Sequence, residues 1–348
     1  MTPQLSIVTP AAGGRYQRIK AVLSRLELNA KRHQKTLPFE FILVDNSEDQ
    51  EYRALATSAF WSFPIKYVFL PSGGTNTYMN PAFPRNVGFR VAEGKVFTMI
   101  DADHWVHEDF VLGALESQVD RPCLKIGFMI DTSGRGQFGN TKGSVSGFHY
   151  RTMWALASRV SSLRPWLIRL INQNLMLASE TMSFSECMGI TGISGPQPWD
   201  QVWLISYPAN AFFHIGGYDE QYLKGYGRED DDIFHRLRNT LPIDNSSMAF
   251  SGVHLWHPQQ ARNSTAENPN DQYFSRRSSL SITRNQGHEW GKLTKGAFSI
   301  LGGKRRGFLE HEQWIAEHFA ANENRPDYLN SSPWRDSRHL KRSIIDFL

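Results

Sequence analysis

The sequence predicts an α/β protein in which a mainly parallel central sheet is flanked by helices and followed by a helical C-terminal extension. Two patterns carry this. Short, nearly uninterrupted apolar runs recur through the first 130 residues, as strands do when both faces of a sheet are covered. Between them, apolar residues return at helical spacing, and such alternation is the mark of parallel pairing through crossovers. A chain of 348 residues can form one large α/β domain or two smaller ones.

Taken in order, residues 5–9 form the first strand and exit at Thr9-Pro10. Ile19, Val22, Leu23 and Leu26 then mark a helix. Residues 39–44 form a second strand that exits at Asp45-Asn46, and residues 65–70 a third. Val87 and Val91 belong to another helix, and residues 96–100 are a strand that exits at Asp101-Ala102-Asp103. Phe110, Leu112 and Leu115 are helical, and residues 124–130 read as one further strand. Residues 131–147, rich in Gly, Ser and Thr, read as a loop or lid. Residues 150–179 read as a helical pair interrupted near Pro165 and packed on the core, with a membrane-surface face as the competing reading. Strands at 202–207 and 247–256 follow, and past Pro258 the pattern weakens into polar loops and helices. Ligands on such sheets bind beyond the carboxyl ends of the strands. That rule singles out the three polar exits.

Composition narrows the setting. A formal charge of +4 with a pI near 9.0 is too mild to mark a general nucleic-acid binder. Its distribution says more: residues 151–169 hold four arginines and no acid, and residues 259–306 hold nine Lys and Arg against three acids. Such local positive surface suits an anionic acceptor or partner, against the plainer reading of solvated faces. Two cysteines, Cys123 and Cys187, exclude a disulfide framework and fit a reducing compartment. The N-terminus enters a strand at once, without a signal-peptide pattern, and no apolar run is long enough to span a bilayer. The expectation is a cytoplasmic protein with no transmembrane segment.

Three constellations carry chemistry. In MIDADHW, residues 99–105, Asp101 and Asp103 at a strand end can both face a cleft and offer hard oxygen ligands to Mg²⁺ or Mn²⁺. In HLWH, residues 254–257, His254 and His257 can share a metal only where the backbone turns, since i and i+3 of a straight strand point to opposite faces. With Asp103 they make an N/O ligand set, for which zinc is the competitor. In GYGREDDDIFHRL, residues 225–237, two glycines lead into a helix with the apolar stripe Ile233, Phe234 and Leu237. Glu229 and Asp230 then sit at the helix start facing the cleft, while Asp231 and Asp232 cap and solvate it. A carboxylate in that place can take a proton from an attacking hydroxyl.

The run GGYDEQYLKGYGREDDDIFHRL, residues 216–237, resembles the C-terminal motif of β-1,4-galactosyltransferase-like enzymes. RNVGFRVAEGKVFTMIDADHW, residues 85–105, is similar to their N-terminal block, and SIVTP with ILVDNSED is similar to the opening of family 2 glycosyltransferases. The likeness covers about residues 5–110 and 200–258, with the motifs in the required order. It implies a GT-A fold, a nucleotide-sugar donor, UDP-linked, a divalent cation and a glycan or other hydroxyl-bearing acceptor. By motif, Asp103 and His257 would ligate the cation, with His254 in place of a frequent methionine. That replacement favours Mg²⁺ over the usual Mn²⁺ preference. Asp101 would lie near the ribose or sugar, Asp45 would contact the nucleobase, Thr9 and Pro10 would line its pocket, and Arg85 would join the donor-binding set.

Asp230 would be the base of an inverting transferase, with Glu229 touching acceptor or donor sugar. The implied organisation is a nucleotide-sugar half at 1–105, an acceptor-binding and catalytic half at 106–258 and an extension at 259–348. The sequence departs from the family in three ways. Tyr226 stands where a tryptophan is common, TPAAGGR replaces a short arginine motif and leaves Arg15 out of the usual spacing, and a lumenal anchor is missing. Two rivals stay open. AAGGRYQRI faintly resembles the phosphate loop of sugar nucleotidyltransferases, and the basic tract with Tyr273, Phe274 and Trp290 would suit a non-catalytic carbohydrate or nucleic-acid binding module. The first explains neither EDDD after GYG nor HLWH, and the intact Asp101, Asp103 and Asp230 argue against the second.

Overall fold

The apolar runs become a two-sided sheet because their side chains alternate between two cores. In the computed structural model, residues 2–47, 50–70, 81–116, 118, 121–131, 159–160, 163–191, 204–222, 227–255, 268–280, 284–285, 299–301 and 308–309 are described. The strands are β1 (Leu5–Ala11), β2 (Phe39–Asp45), β3 (Ile65–Phe69), β4 (Val96–Met99), β5 (His104–Val106), β6 (Leu124–Ile126), β7 (Phe128–Asp131), β8 (Ile205–Pro208), β9 (Ile243–Asp244), β10 (Ser251–His254), β11 (Ser299–Leu301) and β12 (Phe308–Leu309). Among the described residues the helices are α1 (Tyr16–His33), α2 (Arg53–Ala56), α3 (Ala82–Val91), α4 (Phe110–Leu115), α5 (Leu163–Leu177), α6 (Phe184–Thr191), α7 (Ala209–Ile215), α8 (Glu229–Arg238) and α9 (Pro269–Ser279).

Among the described residues, nine strands form one sheet in the order β12-β11-β3-β2-β1-β4-β8-β6-β9. Its centre, β3-β2-β1-β4, is parallel, and β8 and β11 run antiparallel to their neighbours. On one face Leu5, Ile7, Phe39, Phe41 and Leu43 bury the stripe of α1, Ile19, Val22, Leu23 and Leu26. On the other, Val8, Ile42, Val44 and Val68 bury α3, α7 and α8 through Val87, Phe212, Ile215, Ile233 and Leu237. Strand pairing on either side of β1 makes the ends of β1 and β4 a switch point, where α/β sheets open a crevice.

The expected strand at 124–130 is two strands in two sheets. β6 joins the large sheet, and β7 pairs β10 in a small one ordered β5-β10-β7. Gly127 marks the break: a Cβ there would stand 2.5 Å from Leu204 Cδ2 and 2.7 Å from the Phe250 carbonyl oxygen. Pro165 lies in the first turn of α5, where a missing N–H costs nothing; residues 150–158 of the expected helical pair lie outside the described residues. The C-terminal extension is not helical alone: β11 pairs β3 at the sheet edge. Of the expected loop at 131–147, Asp131 ends β7 instead, and the rest lies outside the described residues.

Candidate active site

β4 is apolar until Met99, and the chain then turns back on itself. The Asp101 N–H donates to His104 Nδ1 at 3.1 Å, and the His104 N–H donates to the Asp101 carbonyl at 3.1 Å. The turn throws both carboxylates to one side and starts β5. His104 and His254 face each other across the β5–β10 ladder, ring centroids 6.0 Å apart. Asp103, buried, holds Oδ1 3.7 Å from His254 Nε2 and Oδ2 4.0 Å from Arg15 Nη1.

Among the described residues, Asp101, Asp103 and His104 place one ligand atom each within 4.8 Å of one another. Two hard carboxylates with imidazole nearby fit a divalent cation. His104 is the poorer donor. Its Nδ1 accepts a backbone N–H, so the neutral ring carries its proton on Nε2, 3.7 Å from Asp101 Oδ2. Burial lowers its pKa against the pull of Asp101 and Asp103, keeping it neutral. The expected ligand His254 brings Nε2 to 3.7 Å from Asp103 Oδ1, and His257 lies outside the described residues.

The second acidic element enters from α8. Gly227 and Arg228 are both left-handed, with φ of 74° and 80°, and this double turn presents Glu229 and Asp230 at the helix start. Arg85 on α3 joins the two elements: Nη1 lies 2.6 Å from Asp230 Oδ1 and 3.1 Å from Glu229 Oε1, and Nη2 lies 3.2 Å from Asp101 Oδ1. Its guanidinium also stands 5.2 Å from the Tyr218 ring centroid. Burial works to raise the Asp101 carboxyl, but Arg85, supported by His104 and Arg15, holds it down at about 2. For Asp230 burial outweighs Arg85, and the like charges of Glu229 and Asp101 add to it. That carboxyl is pushed well above the usual carboxylate range. Two carboxyls whose surroundings drive their pKa values apart are suited to different roles.

The RNVG stretch explains itself here. Arg85 serves the acids. Asn86 donates to the Tyr218 carbonyl at 2.9 Å and to Glu220 Oε1 at 2.8 Å, and accepts the Tyr218 N–H at 2.8 Å. Gly88 lets α3 press on β1 and β2, since a Cβ would lie 2.4 Å from Val8 Cγ1. Sequence reading missed Asn86, although its place in the motif was a signal.

The expectation that Asp231 and Asp232 cap and solvate the helix fails for Asp232. It is buried between Arg236, whose Nε lies 2.8 Å from Oδ2, and Arg277, whose Nε lies 3.0 Å from Oδ1. Arg277 also reaches Asp219 Oδ2 at 3.1 Å. Asp231 pairs Arg228 at 2.9 Å, and Arg228 also bonds Asp271. Asn270 donates to the Gly227 carbonyl at 2.9 Å. Thus α9 braces the acidic turn from behind, and Arg277 and Tyr273 of the basic tract face inward, Tyr273 donating to Asp219 at 2.9 Å.

At the other exits the side chains are more enclosed than expected. Asp45 is fully buried: Oδ1 accepts from the Ser47 N–H and hydroxyl, and Oδ2 from the Tyr52 N–H and the Tyr67 hydroxyl. Its carboxylate is engaged within the chain rather than turned to a nucleobase. Thr9 is buried too, with no hydrogen-bond partner for Oγ1, while Pro10 is partly exposed. In the AAGGR loop the Gly14 N–H donates to Glu51 at 2.7 Å and the Arg15 N–H to the Tyr52 hydroxyl at 3.0 Å. These donors are taken, which disfavours a triphosphate cradle. No helix among the described residues is long and apolar enough to cross a membrane.

Comparison with known proteins meets this geometry at both acidic elements. Residues 6–144 match the family described as glycosyl transferase family 2, and residues 203–242 match the N-terminal domain of galactosyltransferase. No curated protein matches the chain. Among solved structures, S. aureus TarS 1-349 is similar at 16% identity and TM-score 0.39 over 73% of this chain, which spans 58% of that one. The same protein in complex with UDP-GlcNAc is similar at 15% identity and TM-score 0.45, over 82% of this chain and 69% of that one. A mutant of the Drosophila β1,4-galactosyltransferase 7 in complex with manganese, UDP-Gal and xylobiose is similar at 13% identity and TM-score 0.40, over 83% and 82%. Likenesses this distant decide nothing; the two family matches, one carrying Asp101 and Asp103 and the other Glu229 and Asp230, are both to glycosyltransferase families.

Proposed function

We propose that the chain moves a sugar from a nucleoside-diphosphate donor, UDP-linked, to a hydroxyl of a glycan or similar acceptor with inversion at the anomeric carbon. The observation that carries this is Arg85, which ties Asp101 of one acidic element to Asp230 of the other within 3.2 Å. Asp230 is the base. Arg85 holds its Oδ1, leaving Oδ2 to the acceptor, and the raised pKa makes it a stronger proton acceptor than an ordinary carboxylate. As the acceptor oxygen attacks the anomeric carbon from the face opposite the diphosphate, its proton passes to Asp230 and the bond to the diphosphate breaks.

Asp103 and His254, with His257, are the residues that would hold Mg²⁺ or Mn²⁺. Such an ion, when bound, offsets charge on the departing diphosphate. Arg15, 4.0 Å from Asp103, lies where a phosphate oxygen would be drawn, and Glu229 orients sugar hydroxyls beside Asp230. Residues 1–105 supply the donor side and 106–258 the acceptor side, and α9 of the 259–348 extension braces α8.

The test is a thermal-shift screen of UDP, GDP, CDP and ADP, each with Mg²⁺, Mn²⁺ or neither, since a ligand that binds only the native state raises Tm. UDP with a cation should give the largest rise. A preference for another nucleotide revises the donor; no rise with any of them overturns the reading.

A further inference from the structure

Helix α5 has two apolar sides. Leu167, Ile168, Ile171 and Leu175 are buried and pack with Trp105 and Val253 on the small sheet. Helical spacing puts Trp166, Leu170, Gln173 and Leu177 on the opposite side, at i, i+4, i+7 and i+11. At 1.5 Å per residue this ridge is about 16 Å long. A face turned to water should be polar, yet Trp166 is 57% exposed and Leu177 85%. Val160, just ahead of the helix, is 41% exposed.

Charge says what would cover the ridge. Residues 151–179 contain four arginines and no Asp or Glu, and Arg159 and Arg169 are exposed. The next acids are engaged within the chain: Glu180 accepts from Ser24 Oγ at 3.3 Å, and Glu186 from the Ser183 N–H and hydroxyl at 2.7 and 2.8 Å. An indole and leucines on one narrow ridge, with the exposed Arg169 beside it and Arg159 ahead of the helix, match the boundary between lipid headgroups and acyl chains, where Trp anchors, Leu inserts and Arg meets phosphate. A few apolar side chains along one helix bury too little for a stable protein interface.

We propose that this face of α5 docks on an anionic lipid membrane, the helix lying in the plane of the interface. The inference stands apart from the transfer chemistry. It is tested by co-sedimenting the full chain with vesicles of equal parts phosphatidylcholine and phosphatidylglycerol, and with pure phosphatidylcholine. The wild type should sediment with the anionic vesicles, more weakly as salt rises, and not with the neutral ones. Trp166→Ser with Leu177→Ser should weaken binding more than tenfold, and Arg169→Gln about five-fold, the effect of one basic residue at such a surface. Leu177→Ser alone keeps the test valid if the double variant does not fold.

Absence of sedimentation, or binding equal in wild type and variants, overturns the proposal. So does an equilibrium-sedimentation dimer that the double substitution abolishes, since the ridge would then belong to a second copy of the chain.

Discussion

Arg85 Nη1 lies 2.6 Å from Asp230 Oδ1, so a residue on α3 fixes the first turn of α8, 145 positions away. Asp230→Asn keeps that contact in shape but removes the proton acceptor. Turnover should fall by roughly two to four orders of magnitude with little change in donor affinity. Asp103→Ala should instead weaken donor and cation together. Steady-state kinetics on both variants decide, and equal, small losses would contradict the assigned roles.

The pH dependence has a definite sign. A carboxyl raised by its surroundings takes up its proton at a higher pH during acidification, so the base is lost sooner than an ordinary Asp, whose pKa is about 4. The acid limb of kcat/KM should stand above that value. Arg85→Met removes the group that draws the Asp230 pKa down, so the limb should move further up. A limb at or below ordinary carboxylate values would remove Asp230 from the role.

Arg277→Met should destabilise the protein by about 3–5 kcal/mol, because Asp232 and Asp219 stay buried after their shared partner is gone. Denaturant unfolding measures this, and Arg277→Lys should recover only part, since a single ammonium cannot fork between two carboxylates. An unchanged midpoint for Arg277→Met would show that α9 does not brace α8.

Gly88→Ala tests the pressing of α3 on the sheet. In an open helix the change would stabilise by up to about 1 kcal/mol, but a Cβ 2.4 Å from Val8 Cγ1 and 3.0 Å from Val44 Cγ2 forces these side chains aside. A net loss of about 1–3 kcal/mol is expected. A rise in Tm would mean that the packing is looser.

Cation preference tests His254. An imidazole in place of a thioether should leave Mg²⁺ competent beside Mn²⁺. Activity titrated with each ion measures it, and a strict Mn²⁺ requirement counts against the assignment.

Both acidic elements, and the sheet that carries them, could be read from local pattern: an apolar run ending in Asp101 and Asp103, and glycines opening a helix that starts with Glu229 and Asp230. Their junction could not, since nothing near residue 85 tells which carboxylates its guanidinium meets. Asp232 looked like its solvated neighbours because its partner Arg277 comes from another helix. The run at 124–130 reads as one strand by composition, and only the closeness of Leu204 and Phe250 to Gly127 shows why it splits. Asp45 shows the reverse, an exit residue whose donors, Ser47, Tyr52 and Tyr67, are set by the packing of three elements.

The pairing of β11 with β3, Ser299 against Phe69, bears on how the chain is made. Until the ribosome has released that distant segment, β3 presents an open row of backbone donors and acceptors to whatever strand it meets first. Nascent chains stalled before residue 299 should therefore be prone to clump, and a truncation that removes the closing strand should be harder to keep in solution than one that spares it.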